Sequence, residues 1–82
     1  MRKLIKVKRK HINKGFTLNT NSCPIALAVR ETLDIKRINV RCTCLYFHSK
    51  WISLSCSAVR FIEKFDSRGR SAVKPFNFYL NY

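Results

Sequence analysis

Residues 35–55 read IKRINVRCTCLYFHSKWISLS, and this stretch decides the fold because two runs of alternating side chains flank a short polar break. The alternation over residues 35–47 predicts one strand, since successive side chains of a strand point to opposite faces. The break at residues 48–50 predicts a tight turn, and residues 51–55 predict a short second strand that completes a hairpin. The inward positions are Ile38, Val40, Cys42, Cys44, Tyr46, Ile52 and Leu54.

A helix is predicted on each side of this hairpin. Asn21 or Ser22 is expected to cap the first helix, which begins at Pro24 and runs to about residue 34. Its apolar face consists of Ile25, Ala28, Val29, Thr32 and Leu33. Ser55 or Ser57 is expected to cap the second helix, which ends before residues 67–69, where Gly69 suits a left-handed turn. The second apolar face consists of Ala58, Phe61, Ile62 and Phe65.

The two ends of the chain each predict a strand. Residues 1–10 alternate with Ile5 and Val7 on one face, and residues 11–15 then predict a turn. Pro75 opens a last strand with Phe76, Phe78 and Leu80 facing inward. The order is βαββαβ, the ferredoxin-like order, so we expect a single α+β domain over residues 1–82. Its four-stranded antiparallel sheet would carry both helices on one face and leave the other face open.

The charge of the chain points to an anionic partner for that open face. Lys and Arg number 17 against 4 Asp and Glu, a net charge of +13, and all four acids lie in the predicted helices. Cationic side chains neutralise phosphates and exposed rings stack on bases, so the pattern favours single-stranded nucleic acid, RNA, or a host nucleoprotein complex. The candidate binding residues are Lys6, Lys8, Arg37, Arg41, Trp51 and Tyr79.

Other interpretations of the same residues stay open. The charge could be a solvated surface that aids solubility, and Trp51 could pack under a loop instead of stacking on a base. An open sheet face is also a normal surface for docking a protein, because Trp, Tyr and Arg are enriched at interface hot spots. An exposed edge strand could pair with a second copy of the chain.

Motifs for chemistry are missing from the sequence. No phosphate-loop, nucleophile-elbow or zinc-protease pattern occurs, so we expect a protein that is not an enzyme and uses no cofactor. The cysteines follow the spacing C-x18-C-x-C-x11-C, which matches no common zinc pattern, and reduced core thiols are favoured over a metal site. Cys23 is the thiol to test for reactivity, since a helix N-terminus would lower its pKa. Against reactivity, the following Pro24 and the core-facing pattern suit a packed helix start.

The chain lacks both a run of about 18 apolar residues and the apolar core of a signal peptide near its N-terminus. We therefore expect no contact with a membrane and a location in the cytoplasm.

Three blocks of the sequence resemble a family of small, mostly uncharacterised proteins of phages and mobile elements. The first block is His11-Ile12 with Gly15, and the second is Cys23-Pro24-Ile25-Ala26-Leu27-Ala28-Val29-Arg30. The third is Phe61-Ile62 with Phe65-Asp66, Gly69, Val73, Pro75-Phe76, Phe78 and Leu80. The specific parts are residues 23–28 and the ending Pro-Phe-x-Phe-x-Leu. This chain departs from the family pattern by extra residues around 68–72 and by its much higher charge. The resemblance implies a setting, the cytoplasm of a host cell, and no activity. A small phage protein without a catalytic constellation usually works by binding, so we expect a binding protein. The alternative it implies is an inhibitor of a host defence or nucleic-acid-processing complex, of the anti-CRISPR type, acting by protein–protein contact.

Overall fold

Residues 2–82, which the computed structural model describes, follow the order βααβββαβ, so the predicted order βαββαβ is wrong. The predicted first residue of the first strand, Met1, lies outside this range. The elements are β1 Arg2–Val7, α1 Arg9–Lys14, α2 Pro24–Leu33, β2 Asn39–Val40, β3 Cys44–Phe47, β4 Lys50–Ser53, α3 Cys56–Arg68 and β5 Phe76–Asn81, with a 3-10 turn at Arg70–Ala72 before β5. The predicted α+β class is confirmed. Within residues 2–82, no helix is long and apolar enough to cross a membrane.

The strands form two sheets, so the prediction of a single four-stranded sheet is wrong. β1 pairs with β5 antiparallel along its whole length, from Arg2 opposite Asn81 to Val7 opposite Phe76. β2, β3 and β4 form a separate antiparallel sheet in which Leu45 lies opposite both Val40 and Ile52. Strands that follow one another closely pair at a small cost in loop entropy, and here the three central strands pair with one another instead of with β1.

The predicted strand over residues 35–47 is also wrong, because the chain turns back on itself after Val40. The backbone N–H of Arg41 donates to the carbonyl of Cys44 at 2.7 Å, which closes a tight connection between β2 and β3. This connection shifts the alternation by one residue, so that Leu45 and Phe47 are buried while Cys42 is exposed and Cys44 and Tyr46 are only half-buried. Leu and Phe bury more apolar surface than Cys, and the shifted alternation places these larger side chains in the core.

The predicted turn at residues 11–15 is the helix α1 over most of its length. His11 is buried and its Nδ1 accepts a hydrogen bond from the backbone N–H of Lys8 at 2.9 Å, which satisfies a donor at the start of the helix. Ile12 is fully buried beside it. Gly15 then lets α1 end directly against α2, because a Cβ at this position would lie 2.6 Å from Cδ of Pro24.

Both predicted helices are confirmed, with one change of cap. Cys23, and neither Asn21 nor Ser22, is the N-cap of α2, and its Sγ accepts from the backbone N–H of Ala26 at 3.4 Å. Ser55 caps α3 as predicted, accepting from the backbone N–H of Ala58 at 3.3 Å. The buried residues of α3 are the predicted ones, namely Ala58, Phe61, Ile62 and Phe65.

One hydrophobic core joins the two sheets and the helices. β1 and β5 contribute Ile5 and Leu80, and the three-stranded sheet contributes Leu45. Val29 of α2 and Phe65 of α3 belong to the same cluster. Because each such side chain stabilises the fold by roughly 1.5–3 kcal/mol when fully buried, this core holds both sheets in place and fixes which strand residues remain on the outside.

Candidate nucleic-acid interface

Almost all cationic side chains of residues 2–82 lack an acidic partner. Within residues 2–82, Lys10 is the one Lys or Arg whose side chain forms an ion pair with an Asp or Glu, its Nζ lying 3.0 Å from Glu31 Oε1. Asp66 is engaged elsewhere, since its Oδ1 accepts from the backbone N–H of Leu18 at 3.0 Å. Most of the positive charge is therefore available to an external anion.

All six candidate binding residues are exposed, but they do not share one sheet face. Lys6 and Tyr79 lie on β1 and β5, and Trp51 lies on β4 of the other sheet. Their distribution over two sheets corrects the expectation of a single open surface. The remaining three lie outside the strands, with Lys8 at the start of α1 and Arg37 and Arg41 on either side of β2.

The outer face of the β1–β5 sheet carries Tyr79 opposite Leu4. The guanidinium carbon of Arg2 lies 3.9 Å from the centroid of the Tyr79 ring. This distance is that of a cation–π contact, which occupies one face of the ring. Half of the Tyr79 side chain is exposed, and one face of its ring already contacts a cation.

The outer face of the three-stranded sheet carries a row of three polar and aromatic side chains. Asn39 lies opposite Tyr46, and Tyr46 lies opposite Trp51, so all three point to the same face. The Tyr46 and Trp51 rings are 4.9 Å apart at their centroids and tilted by 49°. Trp51 remains 60% exposed. We call these residues the Trp51 row. Because its indole is exposed, Trp51 is not packed under a loop.

Two adjoining clefts border the Trp51 row and share Lys36, Arg37, Ile38 and Asn39. One of them extends along the sheet past Tyr46 to His48. The other extends to Arg30, whose Nη1 donates to the carbonyl of Asn21 at 3.2 Å. We call the two together the Arg37 cleft. No Asp or Glu of the described chain lines it, although Asp34 directly precedes the lining residue Ile35.

Arg41 is separated from Arg37 in this structure. It lines a more apolar cleft together with Leu18, Val40 and Ile62, and Asp66 lies on the same wall. A carboxylate in the lining makes this cleft a poorer site for phosphate than the Arg37 cleft. The pairing of Arg37 with Arg41 in one predicted strand is therefore not preserved.

Sequence reasoning missed Tyr46, Lys36 and Arg30 as candidate residues. The sequence predicted that Tyr46 faces inward, because one unbroken alternation was assumed over residues 35–47. The turn at residues 41–43 interrupts this alternation. The signal for the shift was present in the sequence, since Leu45 and Phe47 are larger apolar residues than Cys42 and Cys44. Arg30 lies in the last turn of α2, and Lys36 lies in the segment that follows the helix. No local sequence pattern connects either residue to β3.

The thiols do not form a site in residues 2–82. All four cysteines are free, and no group of three or more His, Cys, Asp or Glu side chains converges there. Cys23 is buried, and this burial raises the pKa of its thiol to about 11. The expectation that the start of α2 lowers the pKa of Cys23 is wrong, because the loss of solvation outweighs the hydrogen bonds from the backbone.

No family model, curated protein or solved structure matches this chain.

Proposed function

We propose that this chain is a small, basic, non-enzymatic binding protein of the phage type, which contacts nucleic acid or a nucleoprotein complex in the cytoplasm of a host cell. The observation that carries the proposal is the surplus of cationic side chains without acidic partners, together with a cleft that no acid of the described chain lines. Phosphates are the anions that such a surface neutralises most effectively.

The salt dependence of binding decides which binding result supports the proposal. Each phosphate contact on a single strand lowers log K by about 0.7 per tenfold increase in salt concentration, through counterion release. A protein with a net charge of +13 binds any polyanion at low salt, so low-salt binding alone carries no weight. Binding that persists at physiological salt requires contacts beyond charge, such as stacking and hydrogen bonds to bases.

Fluorescence anisotropy tests this function, using labelled single-stranded RNA, single-stranded DNA and duplex DNA at salt concentrations from low to physiological. We expect affinity for one of the single strands to survive at physiological salt. Equal collapse of affinity for all three would overturn nucleic acid as the direct target. That result would favour the alternative, an inhibitor that binds a host complex by protein–protein contact through exposed side chains such as Phe16 and Leu18, which are 63% and 81% exposed.

A further inference from the structure

We infer that the Trp51 row and the Arg37 cleft together form a binding site for single-stranded nucleic acid, in which a base stacks on Trp51 and the backbone phosphates contact Lys36 and Arg37. This inference rests on the proposed function and goes beyond it by naming the site, the role of each residue and the strandedness of the ligand. RNA and single-stranded DNA share this chemistry, and both are arms of the test below.

The exposure of Trp51 supports its role as a stacking platform. A Trp side chain that is 60% exposed leaves a large apolar ring in water, where a nucleobase could cover it. The ring is held on one side by Tyr46, at 4.9 Å between centroids, and both residues lie on paired strands. A platform fixed in this way loses little side-chain entropy when a base stacks on it.

The cleft lies where the backbone of a stacked strand needs positive charge. Asn39 and Tyr46 belong to both the Trp51 row and the lining of the Arg37 cleft, so the two features are continuous. Lys36 and Arg37 are exposed there and have no carboxylate partner in the described chain. The Asn39 side chain, with an amide donor and a carbonyl acceptor, suits the edge of a base between the ring and the phosphates.

The same geometry argues against duplex DNA and against Tyr79 as the platform. The bases of a duplex present their edges in the grooves while their faces stay stacked, so an indole cannot stack on them without opening the helix. The Tyr79 ring already has the Arg2 guanidinium at 3.9 Å from its centroid. The structure thus separates two aromatic residues that the sequence alone treats as equivalent.

Trp51 also supplies the probe for this site, because it is the only Trp in the chain. We would titrate the protein with oligouridine, oligothymidine and a duplex, following both intrinsic Trp emission and the anisotropy of the labelled oligonucleotide. We expect quenching of Trp emission that saturates together with anisotropy for the single strands. With the duplex, anisotropy should rise at low salt while Trp emission stays nearly constant.

Variants at the two aromatic positions provide the matched comparison. Trp51→Ala is expected to weaken single-strand binding between about fivefold and about a hundredfold, the range for the loss of one stacked base. Trp51→Phe should retain most of the affinity, and Tyr79→Ala should change it less than Trp51→Ala does. Because Trp51 is exposed, circular dichroism should show that each variant at this position is folded.

The outcomes separate this inference from the proposed function. Single-strand binding at physiological salt with constant Trp emission and an unaffected Trp51→Ala variant would overturn the inference and leave the proposed function standing. A loss with Tyr79→Ala and none with Trp51→Ala would overturn it in favour of the β1–β5 sheet. The absence of binding to any nucleic acid at physiological salt would overturn the inference together with nucleic acid as the direct target in the proposed function.

Discussion

At the scale of single residues, position in the fold changes the chemistry of identical side chains. Cys23 caps α2 from inside the core, with 5% of its surface exposed, whereas Cys42 and Cys56 are exposed to solvent. A thiolate is the reactive form of cysteine, and burial in apolar surroundings disfavours it. Cys23 therefore acts as a packed helix cap, while the exposed thiols are the ones that solvent reagents reach.

We expect iodoacetamide to alkylate Cys42 and Cys56 in the native protein and to leave Cys23 unmodified. The reason is twofold, since burial both shields the Cys23 Sγ and raises its pKa to about 11. Mass spectrometry of peptides over an alkylation time course would measure this, with the same reaction in denaturant as the control. Native alkylation of Cys23 at the rate of Cys42 would contradict the buried cap.

At the scale of elements, a carboxylate on α2 ties α1 to the rest of the fold. Glu31 accepts from Lys10 Nζ at 3.0 Å, and its Oε2 lies 2.8 Å from His11 Nε2. Because Nδ1 of His11 accepts from the Lys8 backbone, Nε2 is the ring nitrogen that donates to Glu31. These hydrogen bonds lower the pKa of Glu31 from 4.5 to about 2, and the bond from His11 has a larger effect than the bond from Lys10.

The lowered pKa of Glu31 predicts a pH dependence of stability. A carboxyl group whose pKa is lower in the folded than in the unfolded state stabilises the fold at pH values above its unfolded-state pKa. For Glu31 this contribution is lost as the pH falls from about 4.5 through about 2. Glu31→Gln should therefore lower the free energy of unfolding at neutral pH, and its difference from the wild type should shrink across that window. Denaturant titrations at several pH values would measure this.

The control for that series is Glu63→Gln on α3. The Glu63 carboxylate is exposed and takes part in no ion pair of residues 2–82, so this variant should keep a free energy of unfolding close to that of the wild type at neutral pH. A Glu31→Gln variant that matches the wild type at every pH would show that the Glu31 carboxylate contributes nothing to stability.

The hairpin of β3 and β4 is strained at its turn. His48 and Ser49 form the two-residue connection, and both have positive φ, at 49° and 61°. Hairpins of this length require that conformation, and Gly adopts it more readily than Ser does. Since the Phe47 and His48 rings lie 5.0 Å apart, Ser49 is the position that is better suited to change.

Ser49→Gly is expected to stabilise the protein by about 0.5–1 kcal/mol, because it relieves the strain of a left-handed non-glycine residue. The matched control is Ser53→Gly on β4, which should destabilise it, since Gly weakens a strand interior. Thermal unfolding of the two variants would measure the difference. A lower unfolding temperature for Ser49→Gly than for the wild type would contradict the account of this turn.

The elements also show how far the sequence could predict this fold. Both longer helices and β5 were predictable, because their apolar residues repeat at the spacing of one buried face. The helix α1 was not, because in the segment RKHINK only His11 and Ile12 are buried. The pairing of strands was not either, since a period of two says which residues share a face and does not name the partner strand.

The candidate site was predictable in part for the same reason. Exposure of Lys6, Arg37, Trp51 and Tyr79 follows from local alternation, and the structure agrees. Which of them lie together depends on the division into two sheets. The turn at residues 41–43 reverses the expected orientation of Tyr46, and this reversal creates the Trp51 row.

At the scale of the whole molecule, the central question is whether the positive charge acts locally or as a diffuse field. A diffuse field attracts every polyanion in proportion to net charge, whereas a site loses affinity only when its own charges change. The Arg37 cleft and the exposed face of α3 offer a matched pair of positions. Lys36 and Arg37 line the cleft, while Arg60 and Lys64 lie on α3.

A local site and a diffuse field are distinguished by two double variants, Lys36→Glu/Arg37→Glu and Arg60→Glu/Lys64→Glu, which lower the net charge by the same amount. Their affinity for single-stranded RNA and DNA would be measured by anisotropy at physiological salt, with circular dichroism as the check on folding. We predict a much larger loss of affinity, and a shallower salt dependence, for the cleft variant than for the α3 variant. Equal losses for the two variants would contradict this prediction and reduce the interaction to net charge alone.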